Sequence, residues 1–512
     1  MTGTTLSSHS HLASDDHSLF CSDLPSRPLT EMGKVLVTGA SGYIGGRLVP
    51  ELLARGYKVK VMVRADSPAY RELWPDVDVI AADALDLEQL KVALKGIDTA
   101  YFLIHSLLLG HKEFAAADIQ AAVNFRIAAD ENRVKRIIYL GGLGDTQSKL
   151  SPHLKSRIQV AEQLKKGKVP VTTLRAAIII GSGSASYEII QNLVKRLPFI
   201  LVPRWAKTKC QPIGIRDVIK YLVGVMETPQ TSGGSFDIGG KEILSYREML
   251  KIRADLLNKR RLFIPFFSYL PLYSYIGGLI TPIPAPITRS LMEGLKNEVV
   301  CQNDTIRRYL PFEPLSYKEA IINAMNREEQ DRIHTRWSDA YPPAHELALK
   351  LDELKDGARY TNTYLRYTTE PASPLFRCIC MIGGEEGWFS NNWIWRLRGM
   401  IDNLFMGVGS TRGRKSRSSL RVNDVIDYWR VEDLQKDTRL LLRAEMKLPG
   451  KAWLEFTIDD EGSRRKLSIV AHYEPQGLWG KAYWYAFLPC HRFLFNHLIK
   501  QIEKRAEKIK PM

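Results

Sequence analysis

The chain has 512 residues, more than one ordinary hydrophobic core accommodates, so we expect at least two domains. A hydrophobic content of 45% and a charged content of 25% are those of a folded, soluble protein and exclude a largely disordered one. The formal net charge of +16 predicts an anionic partner, such as a phosphorylated cofactor, an acidic lipid or nucleic acid.

Cysteine and histidine are too scattered to predict a metal site. The six cysteines form no CxxC pair, and the 11 histidines form no HxxxH or HExxH pattern. We therefore expect reduced thiols in a cytoplasmic protein and no bound metal.

Residues 1–32 are rich in Ser, His and Asp. They lack the apolar core of a signal peptide and the arginine-rich composition of a transit peptide. We expect a disordered tail over residues 1–32.

The first predicted strand, residues 34–38, leads into a glycine-rich turn and a helix that ends at Gly56. Gly39, Gly42 and Gly45 have the spacing G-x-x-G-x-x-G. The first glycine permits a tight turn, the second lets the backbone approach a pyrophosphate, and the third lets the helix pack on the strand. Backbone N–H groups at the helix N-terminus then face the phosphates. A turn with a purely structural role is the alternative.

The second predicted strand, residues 58–64, ends at Arg64. NAD-binding proteins usually carry Asp or Glu at this position for the ribose hydroxyls. A guanidinium suits a 2′-phosphate instead, so the sequence favours NADP(H) over NAD(H). The nearby Asp66 argues in the opposite direction.

Strands and helices continue to alternate beyond this point. Further strands are predicted over residues 77–83, 98–106, 135–142 and 169–181, with helices over 113–132 and after Ser151. This alternation predicts an α/β fold with a doubly wound parallel Rossmann sheet.

The segment TGASGYIG, residues 38–45, resembles the TGxxGxxG motif of the short-chain dehydrogenase/reductase superfamily, in its extended and atypical branch. IGIRDV, residues 213–218, resembles the element before that branch's C-terminal lobe. The resemblance covers residues 33–325 and implies an NAD(P)-binding Rossmann domain with a substrate lobe. The predicted cofactor contacts are Gly39, Ser41, Gly42, Tyr43, Ile44, Gly45, Arg64, Asp83, Ala84, His105 and Ser106.

The superfamily's catalytic residues are missing. The resemblance implies a serine after the fifth strand and a Tyr-x-x-x-Lys pair on the next helix. This chain has Gly141–Gly142 in the first place, and His153 and Arg157 in the second. Since histidine titrates near neutral pH, His153 is the candidate proton donor, with Arg157 beside it. Its position in the first helical turn favours a neutral imidazole. In the alternative, Arg157 only contacts the cofactor.

Two further segments are candidates for substrate contacts. GSGSAS, residues 181–186, is a small-residue loop suited either to the nicotinamide amide or an anionic group, or to a plain connection. Residues 262–287 carry no charge and are long enough to span a bilayer, but five prolines would interrupt a helix there. We expect this segment to line an apolar pocket or to contact a membrane surface.

Residues 326–360 are highly charged and predict a linker, followed by a second domain over residues 361–512. Four strand-like runs precede a helical pattern at the C-terminus, which predicts an α+β domain with an antiparallel sheet closing on a long helix. The domain resembles the START-like helix-grip fold. GWFSNNWIWRLRGMIDNLF, residues 387–405, resembles a domain of unknown function fused behind atypical reductases. The resemblance implies a hydrophobic ligand; a plain aromatic core is the alternative.

TRGRKSRSSLR, residues 411–421, contains five basic residues. An anionic membrane surface or the cofactor phosphate are its candidate partners, and a solvated loop is the alternative. Nucleic acid is not expected, because no recognition motif accompanies the charge.

Together these features predict an NADP(H)-dependent oxidoreductase of the atypical short-chain type, acting on a lipid, isoprenoid or quinone-like substrate. The location would be cytoplasmic, either free or peripheral at a membrane. The alternative is a non-catalytic NADP(H)-binding sensor or assembly factor. NmrA-like regulators and the accessory subunit of respiratory complex I resemble this chain in their damaged catalytic residues.

Overall fold

The computed structural model describes residues 19–64, 70, 73–75, 77–105, 114–144, 150–266, 275, 277–278, 280–281, 283, 285–329, 351, 354, 358–384, 386–405, 407–409, 412, 414 and 420–509. Four predictions fall largely outside them. They concern residues 1–18 of the tail, Ser106, most of the linker and most of the basic loop.

The strands up to residue 266 are β1 (Lys34–Thr38), β2 (Val59–Val63), β3 (Asp78–Ala81), β4 (Ile97–Phe102), β5 (Arg136–Gly142), β6 (Val171–Ala176), β7 (Ile179–Ile180), β8 (Phe199–Pro203), β9 (Lys209–Cys210), β10 (Ile213–Gly214), β11 (Ser235–Ile238), β12 (Leu244–Ser245) and β13 (Leu262–Phe266). Seven of them form one parallel sheet in the order β11-β6-β5-β4-β1-β2-β3. The other six form three small sheets, which pair β7 with β10, β9 with β12, and β8 with β13.

The helices of the same region are α1 (Gly45–Ala54), α2 (Leu87–Leu94), α3 (Phe114–Glu131), α4 (Pro152–Lys165), α5 (Ala185–Arg196), α6 (Ile215–Glu227), α7 (Tyr246–Leu256), α8 (Ala285–Gly294) and α9 (Tyr317–Glu329). Side chains fix several of their starts. Asp86, Ser151 and Ser184 each accept a backbone N–H bond in the first turn of α2, α4 and α5.

Both faces of the seven-stranded sheet are buried. Alternate residues of β1 point to opposite sides, so Val35 and Val37 pack in one core with α1 and α6. Leu36 packs in the other core with α2, α3 and α4. The predicted doubly wound parallel sheet is therefore confirmed. The predicted sixth strand divides into β6 and β7, because β7 leaves the main sheet to pair with β10.

The end of the predicted disordered tail is part of the fold. Phe20, Cys21 and Leu24 are buried in the core beside α1. The backbone N–H groups of Phe20 and Cys21 donate to the Glu51 carboxylate at 2.5 and 3.1 Å. The prediction of disorder is therefore wrong for residues 19–32, since Phe20, Cys21 and Leu24 bury apolar surface and two backbone N–H groups hydrogen-bond the buried Glu51 carboxylate.

The second region contains β14 (Tyr360–Thr368), α10 (Ala372–Cys380), α11 (Asn392–Leu404), β15 (Val425–Ile426), β16 (Trp429–Gln435), β17 (Arg439–Ala444), β18 (Gly450–Asp460), β19 (Arg465–Pro475) and α12 (Gly477–Ala506). The strands form an antiparallel sheet in the order β14-β19-β18-β17-β16-β15. The 30-residue helix α12 packs on β14 and β19. This arrangement confirms the predicted α+β class with a sheet and a long C-terminal helix.

Candidate functional site

The glycine turn, residues 39–45, has no room for side chains at two of its glycines. Gly39 has φ +63°, and a Cβ atom there would lie 2.8 Å from the Leu103 carbonyl oxygen. A Cβ atom on Gly45 would lie 2.4 Å from the Gly39 carbonyl oxygen. The turn therefore packs tightly against the end of β4 and opens α1 beside it, as the glycine spacing predicts.

The N-cap residue of α1 is Ile44, whose side chain makes no capping hydrogen bond to the first turn. The helix N-terminus thus combines a favourable dipole with a first turn that its N-cap side chain does not occupy. These features fit the pyrophosphate of a dinucleotide.

The small-residue loop, residues 181–186, lies against the glycine turn. The Arg47 guanidinium donates to the Ser182 carbonyl oxygen at 2.8 Å and lies 4.4 Å from the Tyr43 ring centroid. Ser184 is a helix cap, because its Oγ accepts from the Tyr187 N–H at 3.2 Å. The loop therefore links α1 to α5, so at least Ser184 has a structural role.

Arg64 and Asp83 lie near one another after β2 and β3. Arg64 is solvent-exposed, yet neighbouring atoms desolvate its guanidinium and lower its pKa, which outweighs the opposite effect of the Asp83 carboxylate. Ala84 is buried, and its carbonyl oxygen accepts from the Asn124 amide at 3.2 Å. The structure therefore brings together Arg64 and Asp83, two of the predicted cofactor contacts.

His105 follows β4 and is held by a buried carboxylate. Its Nδ1 lies 2.9 Å from Asp118 Oδ2, and the Asp118 side chain is only 2% exposed. An ionised carboxylate only accepts hydrogen bonds, so Nδ1 carries the proton and Nε2 presents its lone pair. Nε2 is buried with no hydrogen-bond partner among the described residues. Burial and, secondarily, Arg157 lower the pKa of His105.

His153 lies beside this pair, in the first turn of α4. Its ring centroid is 5.1 Å from that of His105. Burial lowers the pKa of His153 well below the usual range, and His105 and Arg157 lower it further. The imidazole is therefore neutral near pH 7, as its helical position predicts, although burial is the larger cause. A neutral imidazole accepts a proton more readily than it donates one.

Arg157 is engaged with the neighbouring strand. Its guanidinium donates to the Leu140 carbonyl oxygen and lies 5.0 Å from the Tyr139 ring centroid. The Tyr139 hydroxyl donates to the Arg157 carbonyl oxygen at 3.1 Å, and burial raises the pKa of Tyr139 to about 12. Tyr139 therefore does not replace the missing catalytic tyrosine. Arg157 has a clear positioning role between β5 and α4.

A side chain in place of Gly142, at the end of β5, would crowd helix α4. A Cβ atom there would lie 3.2 Å from Leu154 Cδ2 and 3.8 Å from Arg157 Cβ. Strand and helix thus approach more closely than a serine side chain would allow without a shift of Leu154.

An apolar cavity of about 120 Å³ lies in the predicted substrate lobe. Its walls come from α5, β8, α7 and α8, and include Ile190, Trp205, Tyr246, Met249 and Met292. Gly277, from the uncharged segment, also lines it, as predicted for that segment. Leu154, next to His153, packs in the same apolar cluster as Ile190, Tyr246 and Met249.

Sequence reasoning missed Asp118 entirely. It stands in the alanine-rich run FAAADIQAAV of α3, where a single acid on the buried face was the available signal. Within the described ranges, no group of three His, Cys, Asp or Glu side chains has an arrangement suited to a metal ion. None of the helices named above combines the length and the hydropathy needed to cross a bilayer.

Relatives share the first region. The chain is 23% identical over 280 residues to NADH dehydrogenase (ubiquinone) 1 alpha subcomplex subunit 9, mitochondrial, of Arabidopsis thaliana, covering 53% of this chain and 70% of that protein. It is 22% identical over 237 residues to photosystem II assembly factor Ycf39 of Trieres chinensis, covering 45% of this chain and 73% of that protein. The Bordetella bronchiseptica enzyme WbmG in complex with NAD superposes with a TM-score of 0.47 and 17% identity, over 60% of this chain and 98% of that chain.

Two families match the two regions. Residues 354–498 match a family described as a protein of unknown function, DUF2867. Residues 31–294, more than half of the chain, match the NmrA-like family. Since its sheet is also the NAD(P)-binding Rossmann type, the chain belongs to the NmrA-like family and carries a DUF2867 domain behind the Rossmann domain.

Proposed function

We propose that the protein is an NADP(H)-dependent oxidoreductase that acts on a hydrophobic substrate, such as a lipid, an isoprenoid or a quinone-like molecule. The pairing of Asp118 with His105 beside His153 is the observation that carries this proposal. His105 is two residues beyond Leu103, whose carbonyl oxygen contacts the glycine turn at Gly39. A base held by a buried carboxylate therefore lies next to the turn that fits a dinucleotide.

Arg64 supports the preference for NADP(H). A guanidinium at the end of β2 forms charge-assisted hydrogen bonds to a 2′-phosphate, whereas the ribose hydroxyls of NAD(H) favour a carboxylate there. Asp83 lies near enough to favour the charged form of Arg64.

The bound nicotinamide would supply or accept the hydride. His105 presents Nε2 for the hydroxyl proton of an alcohol, and Asp118 stabilises the imidazolium that forms. In the opposite direction, protonated His105 returns that proton to the carbonyl oxygen of the substrate. His153 hydrogen-bonds the same oxygen or shares the proton, since its own low pKa disfavours a lasting positive charge.

The apolar cavity supports a hydrophobic substrate. Its lining is almost entirely aliphatic and aromatic, and Leu154, next to His153, packs in the same apolar cluster as the lining residues Ile190 and Met249. Such a lining selects ligands by shape and apolar area, while a few polar groups orient the reacting end.

Turnover is tested with purified full-length protein and a panel of apolar quinones, ketones and secondary alcohols. NADPH oxidation or NADP+ reduction should appear with at least one class, and His105→Gln should abolish it. Turnover that survives His105→Gln would contradict the assigned base.

A non-catalytic NADP(H) sensor or assembly factor is the second candidate. The missing serine, tyrosine and lysine favour it, and so does similarity to proteins named as a complex I subunit and an assembly factor. Limited proteolysis of the linker should then change with NADPH alone. An unchanged cleavage pattern, together with turnover, would exclude this candidate.

A further inference from the structure

Helix α11 turns an apolar face to the solvent. Its exposed hydrophobic side chains recur at i, i+4, i+7, i+8 and i+11, which is one side of a helix. They are Trp393, Leu397, Met400, Ile401 and Leu404, and Phe405 follows at 69% exposed. The opposite side, with Trp395 and Asp402, is buried in the domain. Folding thus covers one side of the helix and leaves the more apolar side open.

The first half of α12 has a similar exposed stripe. Leu478 and Trp479 are 80% and 83% exposed, and Tyr485 and Phe493 are exposed further along the helix. The sequence contains no acidic residue from Gly477 to Phe493. Ordinary soluble surfaces rarely carry so many large apolar side chains together.

A cavity of about 140 Å³ opens between these two helices. Leu397 and Ile401 of α11 line it, as does Phe487 of α12, and all three are also solvent-exposed. Its floor includes Trp453 and Tyr473 from the sheet. The cavity therefore opens beside the α11 stripe and beside Phe487 of α12. We call the exposed apolar residues 393–405 of α11 and its end, together with those of 478–493 of α12, the aromatic face.

Basic residues flank the aromatic face. Arg396 and Arg398 lie on either side of the α11 stripe, at the positions that helical spacing places next to Trp393 and Leu397. Lys481 and Arg492 are exposed beside the α12 stripe. This pattern of cations bordering Trp, Tyr and Leu is the one found in helices that lie in a membrane interface.

We infer that the aromatic face docks on an anionic lipid bilayer, with its basic residues at the headgroups and the cavity mouth toward the acyl chains. A second copy of the chain is the poorer occupant, because it would bring two sets of these cations into one interface, and residues 477–493 supply no acidic partner for them. The inference goes beyond the proposed oxidoreductase activity and does not depend on cofactor binding.

Vesicle co-sedimentation of the full chain tests this inference. Binding should be strong to vesicles of phosphatidylcholine with phosphatidylglycerol, weak to phosphatidylcholine alone, and reduced by salt. Trp393→Ser with Phe405→Ser should lower the partition coefficient about ten-fold or more, since each change removes a large inserting side chain. The control, Leu73→Ser with Val92→Ser, removes two exposed apolar side chains of the Rossmann domain and should leave binding unchanged.

Brominated lipids separate insertion from surface attraction. They should quench the tryptophan fluorescence of the vesicle-bound protein, and Trp479→Phe should reduce that quenching. Absence of vesicle binding, or binding that the double variant leaves intact, would overturn the inference. So would a concentration-dependent dimer that the same variant abolishes, which would make the face a contact between copies.

Discussion

The imidazole ring centroids of His105 and His153 lie 5.1 Å apart, and the buried carboxylate of Asp118 hydrogen-bonds His105. Burial lowers both pKa values, so both rings are neutral near pH 7. The proposed function assigns to this arrangement the place of the superfamily's serine, tyrosine and lysine.

Asp118→Asn should lower kcat strongly, by about ten-fold or more, because an amide no longer stabilises the imidazolium of His105. Asp118 is a positioning residue, so the pH dependence of kcat should change while the NADPH Kd stays within a few-fold. Glu131→Gln, on the same helix but exposed, is the matched control. Equal loss of NADPH affinity and of kcat would instead indicate a general structural defect.

The rate of alcohol oxidation should depend on pH through His105. Since burial holds the pKa of His105 below its usual value of about 6.5, the base stays neutral at mildly acidic pH. The rate should remain level from neutral pH to below about 6.5 and fall only in stronger acid. A pH profile measured with saturating NADP+ checks this, and a decline beginning above neutral pH would contradict it.

His153 should make the Rossmann domain sensitive to acid. The unfolded chain binds a proton near the usual pKa of about 6.5, whereas buried His153 does not until lower pH. The domain therefore loses part of its free energy of unfolding as pH falls below about 6.5. His153→Gln should make the free energy of unfolding depend less steeply on pH in this range. The groups facing the ring are His105, Arg157 and Asp118. The measurement is the pH dependence of the thermal unfolding transition that NADPH shifts, which is the transition of the Rossmann domain. His497→Gln, at an exposed histidine, is the control.

Arg64→Gln should weaken NADPH binding by about ten-fold or more while changing NADH binding only a few-fold. The physical reason is the loss of one charge-assisted contact, worth about 1.5–3 kcal/mol. Lys58→Gln removes an exposed charge before the same strand and is the control. Equal weakening of NADPH and NADH binding would show that Arg64 does not contact the 2′-phosphate.

A buried ion cluster should stabilise the second domain. Glu445 accepts from Arg412 at 2.7 Å and from Arg430 at 2.5 Å, and its side chain is 1% exposed. These arginines outweigh burial and lower its pKa to about 2. Glu445→Gln should cost about 3–5 kcal/mol, because it leaves buried cations unpaired. The contribution of the Glu445 carboxylate to the free energy of unfolding is complete above pH 4.5 and is lost as pH falls toward 2. Urea unfolding measures this loss, with Glu461→Gln at an exposed position as the control.

The sequence reveals the Rossmann sheet because Val35, Leu36 and Val37 are all apolar, as a strand buried on both faces requires. Gly39 and Gly45 are predictable for a steric reason, since the turn leaves no space for Cβ atoms. Residues 19–32 lack any periodic pattern of apolar residues, so their packing through Phe20 could not be predicted from the sequence.

The rest of the site depends on contacts between distant elements. Asp118 reads as an ordinary helix residue until the fold brings it to His105. The aromatic residues of α11 read as core, because helical spacing identifies an apolar side without saying what covers it. Only the structure shows that Trp393 faces outward.

Calorimetric titration of the intact protein with NADPH and NADH tests the central claim most directly. The glycine turn, the uncapped start of α1 and Arg64 together predict saturable binding of NADPH that is tighter than binding of NADH. No heat of binding with either nucleotide, from folded protein, would contradict the account.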